Sequence, residues 1–267
     1  MLQNFIIFNP IFSAILSILF FNGLYSISKR ISNYEYFDFL NVYFTNINFL
    51  IFLLLTNFLA FSLYLFFLFL NINLLLIKSI AILIILMGVL DLFKLNIKKI
   101  KIHHNFFSYL FFLIIILYFF LSLSPITDPD SLEYHIGVPL YSLKHGVFFV
   151  KDYWLHSQLA GAGEALNTLG LSIHAIQIPT FIQFLSLLLI IATIHFSKSK
   201  FFLNISLKNK YFIYLIIISC PVFLFLGNTA KPQLFAIATS FIAFFLCFII
   251  LPREKKNENK KKLYFLI

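Results

Sequence analysis

Asp128, Asp130, Glu133, Tyr134 and His135 fall within the nine residues 127–135, TDPDSLEYH. A carboxylate held beside a hydroxyl or amine can act as a general base, and apolar surroundings raise its pKa toward neutrality, where that role is efficient. Aspartate with histidine can also hold a hard divalent ion. An apolar run ends just before this cluster. The cluster lies on the side of the membrane segments where basic residues are scarce, so it reads as chemistry at a membrane surface.

Helix capping is the alternative. Asp130-Ser131-Leu132-Glu133 fits the capping-box pattern, and Pro129 suits a first helical turn. Capping accounts for Asp130 and Glu133. It leaves Asp128, His135, His156 and Glu164 without a reason to share one face. The two readings are compatible, because a carboxylate at a helix start is well oriented.

The elements that must carry these residues are membrane helices. The chain of 267 residues is 61% hydrophobic and 11% charged, more apolar surface than a soluble domain can hide. The 38 phenylalanines fit an AT-rich coding sequence and are no evidence of an aromatic binding surface. Cys220 and Cys247 lie in apolar runs and read as small packing residues, with no disulfide framework or metal spacing. No cleavable leader pattern is present, so the first apolar run reads as a retained span.

Taking about 20 apolar residues per crossing, seven spans are expected, at 5–27, 48–70, 74–92, 106–123, 174–196, 211–228 and 232–251. Lys29 and Arg30, then Lys94, Lys98, Lys99 and Lys101, then Lys198, Lys200, Lys208 and Lys210, then Arg253, Lys255, Lys256, Lys260, Lys261 and Lys262 occupy alternate loops. Together they are 16 of the 20 basic residues. Those loops are therefore cytoplasmic, and the N-terminus and loop 124–173 face outward. The net charge of +10 follows from orientation and anionic lipid and needs no nucleic acid. His103 and His104 read as solvated, and Lys78 as an interfacial anchor.

Loop 124–173 is the one long polar region. Leu132, Ile136, Leu140 and Leu143, and then Leu155, Leu159, Ala162, Leu166 and Leu169, recur at helical spacing. Two amphipathic helices on the outer leaflet are expected, with Trp154 and nearby tyrosines at headgroup level. Glu164 is expected to face back toward Asp128 and Asp130. The expectation is an all-α, polytopic transmembrane bundle of about seven spans plus a partial eighth. It forms a single membrane domain, 1–267: N-terminal spans in 1–105, a core at 106–251, and a basic segment at 252–267 that runs into Leu263-Tyr264-Phe265-Leu266-Ile267. That ending reads as the start of a further span in a longer protein.

A span end followed by an aspartate in a large outward loop with interfacial helices resembles the GT-C superfamily of integral membrane glycosyltransferases. The resemblance covers about 106–251. It rests on residues 125–135, on Trp154-Leu155-His156, on Gly163-Glu164 and on Lys231-Pro232-Gln233-Leu234. A bacterial subgroup with a D-x-D-S-L-x-Y-H loop and a K-P-Q-L element is the most similar. The resemblance implies transfer of a sugar from a polyprenyl phosphate to an acceptor on the outer face of the bacterial inner (cytoplasmic) membrane. Asp128 or Asp130 would be the base, with Glu133 and His135 beside it. Lys231 would contact the lipid phosphate, and Gln233, His156, Glu164 and Tyr134 would support substrate. Partners would be the polyprenyl-phosphate sugar and membrane lipid. No cofactor is required by the pattern; a divalent metal, Mg or Mn, is the one that Asp128, Asp130, His135 and His156 could hold.

Against the phosphate role, a lysine at a span end can simply snorkel to the headgroups. Rival functions are a non-catalytic membrane scaffold, which needs no converging polar residues, and a transporter. Ion-coupled transport usually places acids and bases near the midplane, whereas Lys78, His174 and His195 sit near span ends. Lipid-phosphate hydrolysis usually shows an Arg/His-rich signature, and this outward face has no arginine.

Overall fold

Asn9 and Pro10 start the first helix. The Asn9 side chain accepts from the Ile11 amide at 3.0 Å, and Pro10 occupies a first-turn position where its missing N–H costs nothing. In the computed structural model, which describes residues 9–70, 72–93, 105–147 and 161–250, this helix is α1 (Pro10–Ile31). Then follow α2 (Asn48–Phe69), α3 (Leu74–Leu92), α4 (Phe106–Ser122), α5 (Gly137–His145), α6 (Ala162–Ser172), α7 (Ile178–Phe196), α8 (Lys200–Leu203), α9 (Leu207–Ile218), α10 (Pro221–Leu226) and α11 (Gln233–Ile250). A 3₁₀ segment spans Glu35–Val42, and a π-helical turn, Ser131–Ile136, leads directly into α5. The described residues are all-α apart from one isolated bridge, Phe44 to Ser197.

Among the described residues, four helices are long and apolar enough to cross a membrane: α1, α2, α3 and α7. Two more, Phe106–Ser122 and Gln233–Phe248, are apolar but shorter. The chain is therefore a multi-pass membrane protein, and the described residues hold fewer full-length spans than the seven expected. The clearest departure is the sixth. Pro221 has no amide to continue the helix and forces Cys220 into an extended conformation (ψ 121°), so 211–228 divides into α9 and α10. The fifth begins later than expected, because His174 adopts a left-handed turn (φ 62°) ahead of α7.

The tightest helix pair is α1 with α3. A Cβ at Gly23 would collide with the Ile84 carbonyl, and one at Gly88 with the Leu19 carbonyl, so glycine at both positions lets the two backbones meet. Asn22 Nδ2 donates to the Gly88 carbonyl at 2.8 Å across this seam. The most enclosed of the long helices is α7. It packs against α4 and α11, while Phe58, Phe69, Phe244 and Phe248 face outward, as lipid contact requires.

Besides mid-helix contacts such as Asn57 Nδ2 to Thr239 Oγ1 at 3.1 Å, polar contacts gather at the two ends of the bundle. At one end, Ser32 Oγ donates to Asn48 Oδ1 at 2.6 Å and Lys198 Nζ to the Asn41 carbonyl at 2.6 Å. At the other, Ser13 Oγ donates to Gln177 Oε1, the Ile176 amide donates to Ser13 Oγ at 2.8 Å and Thr180 Oγ1 to the Ser122 carbonyl at 2.6 Å. The acidic cluster belongs to this second end.

Helix α6 corrects a further expectation. Instead of lying on the outer leaflet, it is buried from Glu164 to Ser172 and packs against α2, α3, α5 and α7. Its polar side chains are bonded internally. Asn167 Nδ2 donates to the His135 carbonyl at 3.1 Å and Thr168 Oγ1 to the Ala165 carbonyl at 2.6 Å, which removes the desolvation cost that would have kept them at a surface. Leu155, Leu159 and Trp154 lie outside the described residues.

Candidate functional site

The helix after the apolar run starts at Asp128. Its Oδ2 accepts from the Ser131 amide at 3.0 Å and from Ser131 Oγ at 2.6 Å, and its carbonyl accepts from the Leu132 amide at 3.0 Å. Capping was expected from Asp130, which makes no capping bond. The side chain that reaches the amide three residues on is that of Asp128.

Asp130 pairs with Lys231 instead. Lys231 Nζ lies 2.9 Å from Asp130 Oδ2 and 3.9 Å from Asp128 Oδ2. The lysine side chain is 16% exposed, Asp128 30% and Asp130 74%, so a sheltered cation lies beneath two acids, the outer one open to solvent. The ammonium also lies 5.3 Å from the centre of the Phe225 ring, a favourable cation–π position. Ser131 Oγ accepts from the Ala230 amide at 3.2 Å. One hydroxyl thus ties the acidic loop to the turn between α10 and α11 that carries Lys231.

A second pair lies behind the first. His135 Nδ1 is 2.7 Å from Glu164 Oε1, with both side chains 4% exposed. The other oxygen of Glu164 accepts from the Gly161 amide at 2.8 Å, capping α6. A Cβ at Gly163 would overlap the Pro232 ring, so glycine there lets α6 press against the Lys231 turn. Tyr134 packs on His135, ring centres 4.1 Å apart. Burial pushes its phenol above the ordinary tyrosine value, with Glu164 and Tyr64 adding to the shift, so it remains a hydrogen-bond donor.

Of the residues singled out in the sequence, Asp128, Asp130 and Lys231 converge, and His135, Tyr134 and Glu164 form the group behind them. Glu164 does not face Asp128 and Asp130 as expected: both of its oxygens are committed, to His135 and to Gly161. Glu133 lines a cavity that includes none of Asp128, Asp130 and Lys231. Gln233 is exposed in the first turn of α11. His156 lies outside the described residues. Among the described residues, no three or more His, Cys, Asp or Glu side chains are placed to hold a metal ion. Asp128 and Asp130 converge on the Lys231 ammonium, and His135 is paired with Glu164.

Sequence reasoning missed Ser131, Asn167, Phe225 and Gln183. Gln183 Oε1 accepts from the Phe235 amide at 3.1 Å, satisfying an otherwise orphaned N–H in the first turn of α11. An amide within the apolar stretch 178–196 was a usable signal, since such a group is costly unless bonded. Nothing local marked Phe225.

Residues 98–267 match the DUF1420 N-terminal domain, more than half of the chain, and the protein belongs to that family. No curated protein and no solved structure gives a significant match.

Proposed function

We propose that this member of the DUF1420 N-terminal domain family is a membrane glycosyltransferase that moves a sugar from a polyprenyl phosphate to an acceptor on the outer face of a bacterial inner membrane. The reaction class comes from the GT-C resemblance of the sequence. The observation that carries the reading is the meeting of Asp128 and Asp130 with Lys231 across a hundred residues of chain, with Lys231 Nζ 2.9 Å from Asp130 Oδ2. A scaffold needs no such convergence.

In this reading an acceptor hydroxyl or amine attacks the anomeric carbon. The bond from that carbon to the phosphate oxygen breaks, and the phosphate leaves with the electron pair. Asp130 takes the acceptor proton. It suits this better than Asp128, whose Oδ2 already holds two hydrogen bonds from Ser131. Lys231 neutralises the leaving phosphate. An ion pair with an acid as exposed as Asp130 is worth about 0–1 kcal/mol. The donor phosphodiester, singly charged and gaining charge as its bond to the sugar breaks, therefore draws Lys231 away at little cost and releases Asp130 as base.

The finer topology belongs to the same reading. The shorter helices α4 and α11 and the broken pair α9–α10 complete seven crossings, with the N-terminus outside. The acid–lysine cluster then lies at the outer end.

Native mass spectrometry of the detergent-purified protein with polyprenyl-phosphate sugars tests the assignment. Wild type and Asp130→Asn should retain the lipid, and Lys231→Ala should lose it. Equal retention by all three, or none by any, removes the donor site and favours a scaffold.

A further inference from the structure

A cavity of about 960 Å³ opens on the face of the 131–145 helix that carries Leu132, Leu140 and Lys144. Its walls are mainly apolar, from Ile72 and Leu74 at the start of α3, Leu140 and Leu143 of α5, and Leu171 of α6. The Ile72 amide donates to the Gly146 carbonyl at 2.8 Å. Gly146 (φ 75°) takes the left-handed turn that brings the chain there. The start of α3 and the end of α5 are thus fastened together around the opening. Leu74, Leu75, Leu76 and Leu132 are exposed beside it, so the mouth adjoins the apolar surface that faces lipid.

The charged lining consists of two cations, Lys78 and Lys144, and one carboxylate, Glu133, with His145 and His174 beside them. Lys78 lies near enough to His174 to add to the lowering of its pKa by burial. Apolar walls, a basic rim and a lipid-side mouth are the complement of a long-chain molecule with an anionic head. The volume lies at the upper end of the range for small-molecule pockets, roughly 300–1,000 Å³.

We propose that this cavity binds an anionic glycerophospholipid of the membrane, with acyl chain along Leu74, Leu140 and Leu143 and head-group phosphate at Lys78 and Lys144. The site is separate from the transfer site and does not rest on that reading. Asp128, Asp130 and Lys231 do not line it, and a reacting donor would need its phosphate beside them. A bilayer lipid is also supplied at high local concentration, so a modest affinity fills the site.

The test uses the full chain in native mass spectrometry with phosphatidylglycerol, phosphatidylcholine of equal chain length and an unsugared polyprenyl phosphate. Wild type should retain phosphatidylglycerol about thirtyfold over phosphatidylcholine, the preference expected for two lysines near a lipid phosphate. Lys78→Gln/Lys144→Gln should lose that preference. Lys78→Arg/Lys144→Arg and Lys231→Ala should keep it, the former showing that charge is what matters. Equal retention of the two phospholipids by wild type overturns the proposal. So does a preference that survives the glutamine pair, disappears in the arginine pair or disappears in Lys231→Ala. Displacement of phosphatidylglycerol by an equal concentration of polyprenyl phosphate also overturns it. Failure of the donor site leaves these outcomes unchanged.

Discussion

Glu164→Ala removes two hydrogen bonds at one buried point, and their loss can be estimated separately. The 2.7 Å contact with His135 joins two ionisable groups, each 4% exposed; a bond of that kind is worth about 1.5–3 kcal/mol. The bond from the Gly161 amide is a helix cap, worth about 1 kcal/mol. Glu164→Ala should therefore cost about 2.5–4 kcal/mol. Glu164→Gln keeps an acceptor for Gly161 and a polar group for His135, so it should cost about 1–2 kcal/mol. His135→Ala strands the Glu164 carboxyl in a dry setting and should cost about 3–5 kcal/mol. The double alanine variant should cost less than the two singles together by about 1.5–3 kcal/mol, because the second change removes a group already left without its partner. SDS titration in mixed micelles, followed by circular dichroism and limited proteolysis, reads these differences. Strict additivity, or a cost for Glu164→Ala below about 0.5 kcal/mol, the level of an ordinary surface change, would refute the claim that this pair fastens α6 behind the acid–lysine cluster.

Gly163→Val forces a side chain into Pro232. It should cost about 1–3 kcal/mol and raise the reactivity of Lys231 toward acetic anhydride, read by peptide mass spectrometry; an unchanged labelling rate would mean that α6 does not hold the Lys231 turn. Ser131→Ala deletes the hydroxyl shared by Asp128 and the Ala230 amide. It should lower stability by about 1–2 kcal/mol in the same SDS titration, and no change would uncouple the acidic loop from that turn. Burial, reinforced by Lys78, holds His174 below its ordinary value of 6.5. The unfolded chain therefore takes up the proton first as pH falls, so stability should decline below about pH 6.5. His174→Asn, which tolerates the left-handed turn, should flatten that decline between pH 7.5 and 5.5; equal slopes in the two proteins would rule His174 out as its source.

Membrane helices and the acidic loop were legible in residue order, because both depend on local composition. A run of apolar residues makes a span wherever it lies, and Pro-Asp-Ser after such a run makes a helix start. The break at Cys220-Pro221 was equally local and was overlooked because hydropathy does not register a missing amide. Lys231 was selected for its place on the side poor in basic residues. That it meets Asp130 follows from the turn between α10 and α11, which touches α6 where Pro232 meets Gly163 and touches the 131–136 turn where Ala230 meets Ser131, and no spacing along the chain encodes such a contact.

The burial of α6 shows the same division. Its leucine stripe predicted an amphipathic helix, and a stripe says only that one face must be covered. Covering the other face depended on whether Glu164, Asn167 and Thr168 found partners, and those partners are His135, Gly161, the His135 carbonyl and the Ala165 carbonyl of α6 itself. Apolar periodicity and charge asymmetry by themselves determined a multi-pass helical protein with an acidic loop after an apolar helix. Tertiary structure alone decided which acid meets the lysine and which helix lies inside, because a buried polar group must be bonded, and the partners of Lys231, Glu164 and Asn167 (Asp130, His135 and the His135 carbonyl) are distant in sequence.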